Sequence, residues 1–160
     1  MPDLLVRLYD LPEPAPLPEE FTAAGTRIRP AMAYEKRQVV EWVGARFGDG
    51  WASECDVCFA NHPISCLLAT QGGEVLGFAC YDATCRGFFG PVGVAQAARG
   101  HGVGRALLLA TLHAMSAAGY AYAIIGGAGS AEFYEKAAGA IEIPGSTPGI
   151  YRDRLRVPKP

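Results

Sequence analysis

Several things are scarce in this 160-residue chain, and each scarcity removes a class of function. It has no basic excess: 14 Lys and Arg stand against 16 Asp and Glu, a net charge of -2 with pI near 5.9. Such a chain has no overall positive field to hold nucleic acid, so no nucleic-acid partner is expected. It has no apolar run approaching the ~20 residues that span a bilayer, and no basic stretch leading into an apolar one at its start. Neither a membrane nor a secretory route is expected, and the cytosol is the expected compartment (cytoplasmic). Disulfide density is lacking too, since the five cysteines, at 55, 58, 66, 80 and 85, are an odd number in a chain of domain size. Reduced thiols are the simpler expectation. Internal repeats and low-complexity segments are absent apart from one proline-rich stretch. What is present, half apolar and 19% charged residues, suffices for one domain with a real core.

The one spacing that suggests a metal is Cys55-x-x-Cys58 followed by His62, which would share a helical face. A structural zinc needs a fourth ligand and usually a second close pair, and no such pair follows in the sequence. Apolar packing is therefore expected, with no metal.

Element signals run the length of the chain. Leu4 to Tyr9 reads as an arm or edge strand, and the prolines at 12, 14, 16 and 18 make a stiff extended connector. Residues 1–25 are thus read as an N-terminal arm and 26–157 as the domain. Thr26 to Arg29 alternates as a strand; Tyr34 to Phe47 carries apolar residues at helical spacing; Trp51 to Ala60 reads as a shorter helix. Ser65 to Thr70 and Val75 to Tyr81 flank Gly72-Gly73 as a hairpin, and Phe88 to Val94 continues as a third strand. Gly104 to Ala118 is apolar on nearly every face and must be covered. Tyr120 to Ile125 is a buried-type strand, Ser130 is placed to cap a helix ending at Gly139, and two strands, Ile141 to Ile143 and Ile150 to Leu155, close the chain.

The segment Val92 to Arg105 carries the chemistry. Its glycines at 100, 102 and 104 let successive amides converge at the start of a helix, an arrangement that holds phosphates. From Ala83 to Ala131 there is no Asp or Glu, whereas Arg86, Arg99 and Arg105 fall within that stretch. A nucleotide-triphosphate loop would follow its last glycine with Lys-Ser or Lys-Thr, but Arg105-Ala106 follows here. A dinucleotide fingerprint would need a small residue at 105 or 107, occupied by Arg105 and Leu107, and an acid about 20 residues on. Both fail, which weakens a nicotinamide-binding function and leaves it as a third reading.

Arg99-x-x-Gly102-x-Gly104 resembles the Q/R-x-x-G-x-G/A motif of the GNAT superfamily of N-acetyltransferases. The element order from Thr26 to Leu155 is similar to that fold, and Phe133-Tyr134-Glu135-Lys136 with Gly139 resembles its F-Y-x-K-x-G-F segment. The resemblance implies an α/β (α+β) fold, a mixed, mostly antiparallel sheet flanked by helices. Its fourth and fifth strands, through Val92 and through Tyr122, would splay apart. It implies acetyl-CoA as co-substrate, with the pantetheine beside Val92, Gly93 and Val94, and the pyrophosphate at Arg99, Gly100, His101, Gly102, Val103, Gly104 and Arg105. Phe133 and Lys136 would line the cofactor. Gly93 would let its strand bulge and aim an N–H at the thioester carbonyl, and Tyr134 would protonate the departing thiolate.

The resemblance implies an acetyltransferase acting on a primary amine of a small molecule or of a peptide or protein terminus. The other reading it leaves open is a coenzyme A binding or sensing domain without efficient transfer. A homodimer is compatible with either. The glutamate that many family members carry on the strand through Phe88 and Val92 is missing. Asp82 is the first substitute as base, with Glu54, Asp56 or a water chain as alternatives. Gly126-Gly127-Ala128-Gly129 stands where relatives often carry an asparagine.

Overall fold

A computed structural model describes residues 1–156. Its seven strands are β1 (Leu4–Arg7), β2 (Arg27–Pro30), β3 (Cys66–Gln71), β4 (Glu74–Tyr81), β5 (Phe88–Val94), β6 (Tyr122–Ile125) and β7 (Ile141–Glu142). They form one sheet in the order β2-β3-β4-β5-β6-β1-β7. All neighbours are antiparallel except β5 and β6. Five helices accompany them: α1 (Glu19–Ala23), α2 (Lys36–Phe47), α3 (Asp49–Cys58), α4 (Val103–Ala117) and α5 (Ala131–Ala138). Among the described residues no helix is long and apolar enough to cross a membrane.

Strand alternation divides the core in two. On β3 and β4, Leu67, Ala69, Ala79 and Tyr81 face α4, whereas Cys66, Leu68, Phe78 and Cys80 face α2 and α3. The first face receives α4, whose Val103, Ala106 to Leu109, Leu112 and Met115 are all buried, as its nearly unbroken apolar sequence requires. The proline-rich connector lies over this layer as well. Leu11, Ala15, Leu17 and Phe21 pack against the α4 core, and the His113 Nε2 lies 2.9 Å from the Pro12 carbonyl oxygen.

The second face is dominated by rings. Phe47 stacks on Trp51 with centroids 5.2 Å apart and meets Phe78 at 5.7 Å and Trp42 at 5.9 Å. The Arg46 guanidinium sits 4.4 Å over the Trp42 ring.

Three expectations change. Leu4–Arg7 is an interior strand, between β6 and β7, with Leu4 and Val6 fully buried; its alternating apolar residues give it a core face that an edge or free arm would waste. The segment from Ile150 is not a strand. Positive-φ Gly149 after Pro148 turns it into a short 3-10 turn at Gly149–Tyr151, leaving Ile150 half exposed, while β7 has only two residues paired to β1. Ser130 occupies the position before α5, but its side chain makes no capping hydrogen bond. The domain end expected at residue 157 lies outside the described residues.

Gly93 owes its identity to a ring. A Cβ there would fall 2.6 Å from Phe47 Cζ and within 3.0 Å of two more Phe47 ring carbons. Overpacking of this kind costs about 1–3 kcal/mol. Gly93→Ala should therefore lose about that much stability in urea titrations, and Phe47→Leu in the same chain should recover part of it. Additive losses in the double variant would show that the ring is not what excludes the side chain.

Candidate active site

The site begins where two parallel strands stop pairing. β5 and β6 are matched only at Phe88 with Ile124 and Phe89 with Ile125. Beyond that point β6 ends, and Gly126-Gly127 turns toward the N-terminus, where the Gly127 N–H donates to Asp3 Oδ1 (2.9 Å) and the Ala128 N–H to the Pro2 carbonyl. β5 keeps going with β4 as its only neighbour, through Gly77 with Val94, Phe78 with Gly93 and Ala79 with Val92. The result is a V that opens toward Val94.

β5 carries its irregularity at Gly90-Pro91 and not at Gly93. Between Ala79/Val92 and Tyr81/Phe89, β5 uses one residue more than β4, which is a bulge. The extra residue returns both Phe89 and Val92 to the α4 face. Pro91 has no N–H to offer a ladder, and a bulge is where a strand tolerates it. Past the bulge the Ala95 N–H donates to Leu76 of β4 (2.7 Å). By strand alternation Gly93 also faces β4, and the amides of Val92 and Val94 face into the V. The expectation of an inward N–H at residue 93 is therefore corrected: that amide points to β4, and the inward ones belong to Val92 and Val94.

At the mouth of the V lies the glycine loop. Gly100 and Gly102 have φ of +79° and +83°, a backbone conformation that side chains disfavour. Gly102 immediately precedes α4. The Ala106 N–H is bonded to the Gly102 carbonyl (3.0 Å), so the amides of Val103, Gly104 and Arg105 point out of the helix start. Arg99 is held beside them by its Nε–H donating to the Val94 carbonyl (3.0 Å), and Arg99 and Arg105 are exposed. Val103 itself is buried beneath the loop. The His101 ring is turned to α1, with Nδ1 3.3 Å from Glu20 Oε1 and the ring 5.3 Å from that of Phe21. The loop is thus braced by the N-terminal segment, and His101 does the bracing.

At the vertex, consecutive phenylalanines face opposite ways. Phe89 meets Tyr134 of α5 edge-on at 6.3 Å, and Phe133 packs on Tyr134 at 5.1 Å. Burial alone pushes the Tyr134 hydroxyl above the ordinary tyrosine value, so it stays protonated through neutral and mildly alkaline pH. Lys136 points to solvent and pairs with Glu132.

Phe88 faces the other side. A Cβ on Gly126 would lie 3.0 Å from its ring and 2.5 Å from Tyr151 Oη, so the glycine makes room for both. Glu54 of α3 belongs to this side, half buried, with Oε1 accepting from Thr84 Oγ1. The Tyr151 hydroxyl is raised first by burial and then by the negative charges of Glu54 and Asp3. No sequence spacing announces this group, because Glu54, Thr84 and Tyr151 come from three distant segments.

Asp82 is committed elsewhere. Its φ is +52°, Oδ1 accepts the Gly87 N–H (2.7 Å) and Oδ2 accepts the Tyr120 hydroxyl (2.8 Å). It clamps the β4–β5 connection to the segment entering β6. Asp56, the other carboxylate considered, pairs with Lys36 on the outer surface. His62 is exposed, and Cys55 and Cys58 are buried without it.

A clamp and a base respond differently to substitution. Asp82→Asn keeps an acceptor oxygen and tolerates the positive φ, so its melting temperature should change little. Asp82→Ala strands two donors and should cost about 1–3 kcal/mol. Equal stability of the two variants by chemical denaturation would contradict the clamp.

A sequence model of the Acetyltransferase (GNAT) family matches residues 6–140. No sequence among the curated proteins matches the chain. Among solved structures, the glucosamine N-acetyltransferase region of a fungal multi-domain GH3 β-N-acetylglucosaminidase superposes with TM-score 0.69 at 15% identity, covering 89% of this chain and 19% of that one. A GCN5-related N-acetyltransferase from Sphaerobacter thermophilus gives TM-score 0.65 at 20% identity, covering 89% and 48%. A GNAT family acetyltransferase from Brucella melitensis, solved in complex with acetyl-CoA, gives 0.51 at 24%, covering 69% and 80%. The chain therefore spans less than half the length of the first two. These likenesses are of fold, and the match over residues 6–140 adds the family: the chain is a member of the GNAT acetyltransferases, an acyltransferase family that uses acetyl-CoA.

Proposed function

We propose that this enzyme moves an acetyl group from acetyl-CoA to the primary amine of a small molecule or of a peptide or protein terminus. The observation that carries the reading is the V between β5 and β6, with a free backbone edge inside it, the glycine loop at its mouth and a tyrosine at its vertex. A pantetheine arm is rich in amides and can add to the β5 edge as a short strand, bonding to the main chain at Val92 and Val94. The pyrophosphate then meets the amides of Gly100, Gly102, Val103 and Gly104, flanked by Arg99 and Arg105. Phe133 supports the Tyr134 ring, and Gly93 serves by admitting Phe47 beneath the strand.

The two faces of the vertex divide the proton chemistry. An amine approaching from the Phe88 side meets Glu54, whose second carboxylate oxygen has no hydrogen bond among the described residues. Glu54 takes the proton from the attacking amine, directly or through water. As the amine adds to the thioester carbonyl, negative charge grows on the carbonyl oxygen, and the inward amides of β5 are there to meet it. On the Phe89 side, Tyr134 gives its proton to the sulfur as the carbon–sulfur bond breaks. Its raised pKa keeps that proton in place until a thiolate asks for it.

The loop is tested by binding. Gly102→Glu places a carboxylate among the phosphate donors and strains a positive φ, and should weaken coenzyme A binding at least ~100-fold by calorimetry, whereas Gly102→Asn should retain most of it. Equal affinity of Gly102→Glu and the parent would put the phosphates elsewhere.

The chemistry is tested by turnover across a panel of amines. Tyr134→Phe removes one oxygen, so kcat should fall by about 100-fold with KM for acetyl-CoA within a few-fold, and the alkaline limb of the parent's pH profile, shifted upward by the burial of that hydroxyl, should vanish. Glu54→Gln should lower turnover by a similar factor and Asp82→Asn should not. Full activity of Tyr134→Phe on a true acceptor would remove the acid from the mechanism. Coenzyme A binding with no thiol release on any amine would favour a binding module over a transferase.

A further inference from the structure

Four of the five cysteines meet in the core beneath α2 and α3. Cys55 of α3, Cys66 of β3 and Cys80 of β4 bring their sulfur atoms within 4.8 Å of one another, and all three are fully buried. The Cys55 and Cys66 sulfurs are 4.0 Å apart. Cys66 and Cys80 are direct cross-strand partners in the β3–β4 register. Cys58 follows Cys55 by one helical turn, is equally buried, and directs its sulfur at the Tyr81 carbonyl, the residue after Cys80. The helix thus supplies one close pair and the hairpin another. That second pair is what the linear spacing lacks, because Cys66 and Cys80 are brought together only by strand pairing.

We infer that Cys55, Cys66 and Cys80 form the core of a closed structural site for a thiophilic d10 cation, for which Zn2+ is the probe, and that Cys58, whose sulfur lies outside their 4.8 Å group and faces the Tyr81 carbonyl, turns in as fourth ligand on binding. Zinc–sulfur bonds of about 2.3 Å put the sulfurs of a tetrahedral site about 3.8 Å apart, so the Cys55–Cys66 separation is already within a few tenths of an ångström. Sulfur-only surroundings select this kind of ion over magnesium or calcium. Binding replaces the sulfur-bound hydrogens: each of four thiols releases one proton as its sulfur bonds to the metal, leaving a four-thiolate complex of charge -2. Full burial leaves no open position, which marks the site as structural and not catalytic. Ordinary apolar packing of thiols would fill the same volume but has no need for three sulfurs to converge on one point. The site would tie α3 to the β3–β4 hairpin one residue from Glu54. It stands whether or not Glu54 acts as the base.

The experiment is refolding of the full chain under reducing conditions with one equivalent of Cd2+ or Zn2+, with and without chelator. The expected results are one metal ion per chain by elemental analysis and a cadmium–thiolate charge-transfer band in the ultraviolet. At free Zn2+ a hundredfold above its dissociation constant, the melting temperature should rise by about 5–10 °C. Cys85→Ser should keep all three, and Cys66→Ser should lose the band. Should Cys66→Ser fail to fold, the parent chain decides alone: no band and no change in melting temperature overturn the site. A band that survives in a folded Cys66→Ser also overturns it, as does a parent chain whose mass is two hydrogens short through a Cys55–Cys66 disulfide.

Discussion

Two residues of parallel pairing hold β5 to β6, and the rest of the molecule is arranged around the fact that there are only two. Had the ladder continued, the β5 edge would be spent on a neighbouring strand and no backbone would be left to recognise an amide-rich arm. It stops for local reasons. On β5, Pro91 has no N–H to contribute and the bulge at Gly90-Pro91 shifts the register. On β6, Gly126-Gly127 turns away and is anchored by the buried carboxylate of Asp3. An open edge inside a sheet has unpaired polar groups, which fits a place where a ligand completes the ladder.

The sheet around this gap must be rigid for it to stay open, and it is braced on both faces. On one, α4 lies across β3, β4 and β5 with almost its whole surface covered, and its first turn delivers the glycine loop to the mouth of the V. On the other, Phe47 presses against Gly93 within a cluster of four rings, so the very strand that offers its edge is supported from behind by a side chain. The N-terminal segment adds a third brace: β1 closes the sheet beyond β6, the connector runs along α4, and Glu20 and Phe21 hold His101. What reads as an arm is part of the frame.

Consecutive residues on one strand face opposite ways, and the proposed mechanism places its two proton roles on those two faces. Phe88 and Phe89 point in opposite directions, so the groups packed on them, Tyr151 with Glu54 nearby and Tyr134, flank the vertex from opposite sides. In the proposed reaction, donor and acceptor would then enter from different sides.

Much of this was legible in the sequence because it depends on near neighbours. Gly100-x-Gly102-x-Gly104 before an apolar helix, the hairpin at Gly72-Gly73, the ring pair Phe133-Tyr134 and the absence of acids from Ala83 to Ala131 are all properties of contiguous residues, whose backbone preferences and periodicity act locally. Those features sufficed for the fold class and the family, and they carry the glycine loop on which the proposed phosphate site rests. Other decisions were left to the tertiary structure: that β1 is interior, that Gly93 serves a ring while the bulge sits at Gly90-Pro91, that Asp82 is tied to Tyr120, and that Glu54 meets Thr84 near Tyr151. The same holds for the convergence of Cys55, Cys66 and Cys80. Each of these joins residues from distant segments, and which sides of two strands or a strand and a helix come together is set by register and packing, which no local spacing encodes.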